Sequence, residues 1–200
     1  ERSTTKNYWG YGAGTKFKLV EEVALKASYE HSVRLPLSKE LLGNGSTIYA
    51  NVQLRPESSE NFNIGVFGNI QASEKSHIYY EVNSFMRLVD DYIQIRVSEK
   101  EGMMQYENIP AVHIKGVEGE VNYTYSNKLH IMANISWQDS RDQRKYLDDG
   151  KPSATYRNRT PNKPWIFYNA EASYTLRNVF FKDASLKLAY NYQWVHWFYL

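Results

Sequence analysis

Residues able to do chemistry are scattered along this 200-residue chain. The five histidines, His31, His77, His113, His130 and His196, stand far apart with no HExxH spacing, so no helix face pairs two of them on a metal. His130 with a neighbouring glutamate is the best pair for a metal or haem substrate. Isolated histidines on strands more commonly fill an interface. Asp90-Asp91 invites a paired-carboxylate reading, but acid–base work needs partners the spacing does not supply, and solvated rim charges are the simpler reading. Asp148-Asp149-Gly150 is a turn signal. Ser136 and Ser140 lack a nucleophile elbow, and no glycine-rich phosphate loop occurs. With 0 Cys there is no thiol nucleophile, thiolate metal site or disulfide framework. No enzyme, cofactor or metal site is expected.

One segment stands out by charge. Between Ser140 and Lys163 lie Arg141, Arg144, Lys145, Lys151, Arg157, Arg159 and Lys163, with Tyr146 and Tyr156 interleaved. Arg141, Arg144, Tyr146, Tyr156, Arg157 and Arg159 are the candidates for binding an anionic substrate or the phosphates of lipopolysaccharide. A merely solvated loop is the competing reading. The overall formal charge is only +2, with both signs interspersed, which excludes a nucleic-acid stripe.

The elements that must position these residues are strands. Aromatics make up 15% of the chain, with 17 Tyr, 8 Phe and 5 Trp, and such content favours sheets. A mean hydropathy of −0.62 leaves no room for a spanning helix, yet a barrel strand faces lipid only with alternate residues and escapes such an average. Period-2 alternation is the main signal. Val23, Leu25, Ala27 and Tyr29 oppose Ala24, Lys26, Ser28 and Glu30; Phe62, Ile64 and Val66 oppose Asn61 and Asn63. The pattern returns at Ile78–Leu88, Val117–Tyr125, Leu129–Trp137, Ile166–Tyr174 and Leu186–Trp194. With a less regular stretch at Tyr8–Lys18, the count is about eight strands of an all-β antiparallel sheet.

The predicted connections alternate in length. Short links follow Lys18, Ile70, Tyr125 and Leu176, whereas Arg34–Arg55, Glu99–Asn108 and Ser140–Lys163 are long. Short periplasmic turns and long extracellular loops are the asymmetry of an outer-membrane barrel. Trp137, Trp165 and Trp194 then mark the outer rim, and Tyr123, Tyr125 and Tyr174 the opposite one. A soluble secreted β-sandwich, such as a carbohydrate-binding module, is the alternative, with the aromatics as its core.

The segment from Glu30 to Gly68 resembles the stretch of TonB-dependent receptors in which a strand ends in Phe-Arg-Ala-Pro, continues to Glu-Leu and returns through Leu-Lys-Pro-Glu to an Asn- and Gly-bearing strand. The counterparts are Arg34, Pro36, Glu40, Leu54, Arg55, Pro56, Glu57, Asn61 and Gly65. Leu35, Val52 and Asn63 depart from the pattern, and Gly116-Val117-Glu118-Gly119-Glu120 also looks like a strand of these barrels. Pro56 presets the backbone at the start of a strand, and Glu57 and Glu60 are expected to face Arg34 or Arg55, which makes this a structural rim motif. The resemblance implies a barrel of roughly 22 strands around a plug that carries a TonB box. It also implies TonB-dependent uptake of a scarce nutrient across the bacterial outer membrane. An iron chelate or siderophore is the first candidate substrate, before haem, cobalamin or a glycan. The implied partners are the TonB–ExbB–ExbD complex, acting through the plug, and outer-membrane lipid or lipopolysaccharide. Residues 1–200 are then expected to be a partial barrel domain, the middle-to-late third of a larger parent, without plug, TonB box or terminal strands. The start without Met and the close at Trp197-Phe198-Tyr199-Leu200 in mid-pattern lead to the same expectation.

Overall fold

A computed structural model describes residues 6–97, 102–147 and 150–197. The chain folds into one antiparallel meander of long strands: β1 (Tyr11–Val20), β2 (Val23–Arg34), β4 (Glu57–Ser73), β5 (Ser76–Val97), β6 (Met104–Tyr125), β7 (Leu129–Asp142), β8 (Ile166–Arg177) and β9 (Ser185–Val195). The link between β2 and β4 holds a short helix, α1 (Ser38–Leu42), and a two-residue strand, β3 (Ile48–Tyr49), which pairs with β6 in parallel. The sheet does not return from β9 to β1, so the described residues form an open wall.

Register explains which side is which. Leu25, Val66 and Val82 lie opposite one another across β2, β4 and β5, as do Tyr29, Phe62 and Met86. Across β6 to β9 the same face carries Val121, Ala133, Ala170 and Tyr192. Because side chains alternate, these rows build one continuous apolar face. No second sheet covers it among the described residues, and Ile64 and Tyr190 stay 64% and 68% exposed. A sandwich would bury this face; a lipid-facing wall leaves it open.

Among the described residues, the compact apolar cluster sits on the other face near the long-loop rim. Val89, Tyr92, Ile109, Val112 and Ile114 are buried there, with Phe85 packed against them. Val112, opposite Val89 on β5 and Asp142 on β7, is fully buried.

The lower turns are short, as the spacing predicts. Ser126 and Asn127 both take positive φ, 51° and 53°, in the β6–β7 turn, where a tight hairpin needs it. One of the expected loops differs. Of the stretch expected as the loop Glu99–Asn108, residues 104–108 are paired backbone, because β5 runs on to Val97 and β6 begins at Met104. Asp90-Asp91 and Pro110 therefore lie inside the two strands of this hairpin. They mark a break within the ladder, since Pro110 has no N–H to give and Asp91 opposite adopts φ 53°. Beyond the break, Tyr92 and Ile109 pair and bury, which keeps the hairpin in order. Residues 98–101 at its tip lie outside the described residues, as do Asp148, Asp149 and residues 198–200.

Candidate functional site

The upper rim is assembled from the motif around Arg34 to Gly65. Arg34, the last residue of β2, donates through Nη1 to both oxygens of Glu40, at 3.1 and 3.0 Å, and through Nη2 to Glu57 at 3.1 Å. Glu57 also accepts the Ile93 backbone N–H at 3.0 Å. Glu40 accepts the Leu37 N–H at 2.8 Å and so holds the first turn of α1, just after Pro36. One guanidinium thus ties strand end, helix and the rising hairpin together through charge-assisted bonds.

Arg55 makes a second knot. Its Nη2 reaches Asp91 at 2.6 Å, its N–H donates to Asn108 Oδ1 at 2.8 Å, and Asn108 Nδ2 donates back to its carbonyl and to that of Asp91. Leu54 is buried beside it, and Pro56 leads into β4. Glu57 faces Arg34 as expected, but Glu60 does not. Register places Glu60 opposite His31 and Leu88 on the apolar side, where it takes the Tyr29 hydroxyl and His31 Nδ1. The period-2 pleat sends Glu57 and Glu60 to opposite faces.

Below the rim the polar face forms a hydrogen-bonded lining. Asn61 Nδ2 donates to Ser59 and Ser32, at 3.0 and 3.2 Å. A Cβ on Gly65 would stand 2.1 Å from Asn83 Oδ1, so only glycine lets Asn83 lie across the strand. Lys26 Nζ pairs with Glu81 at 2.5 Å, Asn83 and Tyr79 donate to the same carboxylate, and Glu120 faces it across the β5–β6 ladder.

A cleft of about 520 Å³ opens between these levels. Arg34, Arg87 and Lys163 bring cationic ends to it, Asn61 and Ser59 supply amide and hydroxyl groups, and Tyr92 forms an aromatic wall. Lys163 crosses the Tyr92 ring 5.5 Å from its centre, and Arg87 lies against Phe85. Composition gives no hint of Arg87 or Lys163 as a pair; only the fold brings the strand residue and the loop residue together.

The six residues singled out in the basic segment do not form one site. Arg141 and Arg159, joined by an isolated bridge, hold Asp139 between them through their Nε atoms, at 2.6 and 2.9 Å. Burial pushes the Asp139 carboxyl up, but the bonds from Arg141 and Arg159 outweigh it and hold the group below the usual carboxylate range. Arg144 turns to Thr155 at 3.2 Å and to the buried Asp142 at 3.5 Å, acting as a strut within the loop. Tyr156 lies between Arg157 and Lys145, while Tyr146 is exposed opposite Pro152.

The histidines stay apart. His77 meets Asn69 and Gln71, His130 meets Thr124 at 3.4 Å, and His196 accepts the Trp165 indole N–H at 3.1 Å. No group of three metal-ligating side chains converges among the described residues.

Comparison with known proteins agrees with this architecture. The family model for the β-barrel of TonB-dependent receptor-like proteins matches residues 1–196. No curated protein matches the chain in sequence. Solved structures do match in fold. A mutant of the ferric enterobactin receptor PfeA from Pseudomonas aeruginosa superposes with a TM-score of 0.58 at 16% identity, over 94% of this chain and 27% of its own. The copper transporter OprC gives 0.57 at 19% identity, over 82% and 23%. The FrpB iron transporter from Neisseria meningitidis gives 0.53 at 17%, over 85% and 25%. The chain spans about a quarter of the length of these structures. The open meander, its uncovered apolar face and this match over nearly every residue make the chain a member of the TonB-dependent receptors, forming part of their outer-membrane β-barrel.

Proposed function

We propose that the receptor containing this wall takes up an anionic, oxygen-rich iron chelate, and that the cleft beneath the outer loops is one of its contacts on the barrel wall. The convergence of Arg34, Arg87 and Lys163 on a cleft that also presents Ser32, Ser59, Asn61 and Asn63 carries this reading; of its two carboxylates, Glu57 is bound by Arg34 and Glu30 lies on β2. Arg34 is already committed to Glu40 and Glu57, which leaves Arg87 and Lys163 as the cations for a ligand. A chelate with carboxylate or catecholate oxygens suits guanidinium and ammonium donors, and Tyr92 adds a flat surface for an aromatic ring. Among the structural neighbours are a ferric enterobactin receptor, an iron transporter and a copper transporter; at 16–19% identity they speak for the fold, and the substrate class rests on the cations of the cleft.

Energy for release comes, in this proposal, from the TonB–ExbB–ExbD complex acting through a plug held against the polar wall. Glu81 and Glu120, paired across β5 and β6, and Glu118 one level away opposite Asn83, with Lys26, give such a plug a charged surface to contact. The polypeptide then serves transport and performs no reaction of its own.

Binding to the whole receptor tests the reading. Intrinsic tryptophan fluorescence is titrated with a ferric catecholate, haem, cobalamin and a neutral oligosaccharide, for the wild type and for Arg87→Gln with Lys163→Gln. Saturable quenching by the ferric catecholate, weakened about tenfold or more in the double variant, is expected from the loss of two charge-assisted contacts. Equal binding by the double variant sinks the cleft, and preference for a neutral glycan sinks the substrate class.

A further inference from the structure

Between β7 and β8 the chain leaves the ladder and returns to it. The Thr160 N–H donates to the Ser140 carbonyl at 2.9 Å, and the Gln138 N–H donates to the Trp165 carbonyl at 2.8 Å. A step of two residues along β7 is thus matched by a step of five in its partner, and residues 161–164 bulge out between the two anchor points. Bulges re-aim side chains that regular pairing would send elsewhere. Here the bulge carries Lys163 into the lumenal cleft, where it meets Arg87 and Tyr92.

Both shoulders of the bulge are pinned by glutamine amides. Gln94 Nε2, from the β5–β6 hairpin, donates to the Pro161 carbonyl at 2.7 Å, and Gln138 Nε2, from β7, donates to the Pro164 carbonyl at 2.8 Å. Lys163 lies between these two carbonyls. Asn162 takes φ 58°, which few side chains tolerate, and the two prolines fix φ on either side, so the bulge has few other conformations. At its base Thr160 Oγ1 donates to Ser140 Oγ at 2.8 Å, with both residues buried.

Gln94 is 6% exposed, and its Oε1 has no hydrogen-bond partner among the described residues. A buried amide with one end unsatisfied is a costlier filler than an apolar side chain. What it supplies is the bond to Pro161. Gln138 shares a row with Gly116 and Phe85, and Ser140 shares the next with Ile114 and Arg87. The bulge is therefore fastened to the same levels of the wall that carry Arg87, whose guanidinium lies against Phe85.

We infer that Gln94 and Gln138 are positioning residues, which hold the bulge at residues 161–164 and so set Lys163 over the cleft before an anionic ligand arrives. An ammonium on a loose loop loses backbone and rotamer freedom when it binds; one set beforehand, 5.5 Å from the Tyr92 ring centre, loses less. The inference rests on the chelate reading for the ligand and on the bulge alone for the placement of Lys163.

The test uses the full-length receptor in non-ionic detergent. Gln94→Leu and Gln138→Leu are made separately, on different strands, so that misfolding of one leaves the other to decide, and heat-modifiable migration in gels checks that the barrel is closed. In the first arm, without ligand, amines are acylated with a limiting N-hydroxysuccinimide ester, and labelling of Lys163 is read by mass spectrometry against the exposed Lys182. Lys163 is expected to react slowly in the wild type and severalfold faster in each variant. In the second arm a ferric catecholate is titrated by tryptophan fluorescence, with Lys163 present and in a Lys163→Gln background. Each glutamine change is expected to weaken binding about threefold to tenfold where Lys163 is present, the cost of ordering one long side chain, and to add nothing where it is replaced. Unchanged labelling in the folded variants overturns the inference. Equal loss of affinity in both backgrounds also overturns it, because a general structural role gives that result, and so does faster labelling with unchanged affinity. A wild-type receptor that ignores the ferric catecholate defeats the chelate reading; labelling then decides the placement of Lys163 by itself, a rise upholding it and no rise overturning it.

Discussion

Arg34 holds Glu40 and Glu57 with its two terminal nitrogens, so that residues 6 and 23 positions away meet on one side chain. Glu40 is 6% exposed. Replacing Arg34 by Gln leaves that carboxylate without its cation, at a cost of about 1–3 kcal/mol given that Arg34 itself is partly exposed. Limited proteolysis between Pro36 and Arg55 is expected to accelerate several-fold while β4 and β5 stay protected. Unchanged cleavage contradicts the clamp.

Gly65 makes a separable prediction. Gly65→Val forces a Cβ against Asn83 Oδ1, and overpacking of this kind costs about 1–3 kcal/mol. The folded yield of the receptor falls, and pairing it with Asn83→Ala restores part of the loss. A double variant no better than Gly65→Val indicates that backbone, and not Asn83, sets the requirement.

The two faces of β7 should respond oppositely to charge. Ile135→Arg puts a guanidinium in the middle of the lipid-facing band, costing about 2–4 kcal/mol, whereas Asn134→Arg, one residue earlier on the polar face, is tolerated. Denaturant midpoints in detergent or bilayers read the difference. Equal effects contradict the assignment of faces.

Asp139 gives the region around Arg141 and Arg159 a pH dependence. Its carboxyl is held below the usual range in the folded chain, so its contribution to stability is complete above its unfolded value, about 3.9. That contribution is lost as pH falls through the lower folded value. Hydrogen exchange at Ser140, Asp142 and Thr160 should rise on acidification, and Asp139→Asn should remove the acid-dependent part.

The strands, their faces and the short lower turns were legible because alternation is a local property. Leu129–Trp137 shows it residue by residue, and the register with Val117–Tyr125 and Ile166–Tyr174 follows from keeping the apolar rows together. The extended hairpin above Asp91 was not legible. Gly102, Pro110 and a charged tip read as loop, yet Tyr92 and Ile109 pair and bury once the neighbouring segments cover them. The division of Glu57 from Glu60 was implicit in their odd separation. Spacing in the basic segment, by contrast, gives no way to tell Arg144, turned in on Asp142, from Arg141, turned outward.

By itself the sequence determined that this protein is a sheet with one apolar and one polar face, since a side-chain period of two is written residue by residue. It determined the family as well, through the run from Arg34 to Gly65. Only the tertiary structure decided which charges meet: Arg34 with Glu40 and Glu57, Arg55 with Asp91, Arg141 and Arg159 on Asp139, and Arg87 with Lys163 across a cleft. Such meetings depend on how long loops fold back over strands distant in the chain, where contact is set by packing and hydrogen bonding and leaves no periodic trace.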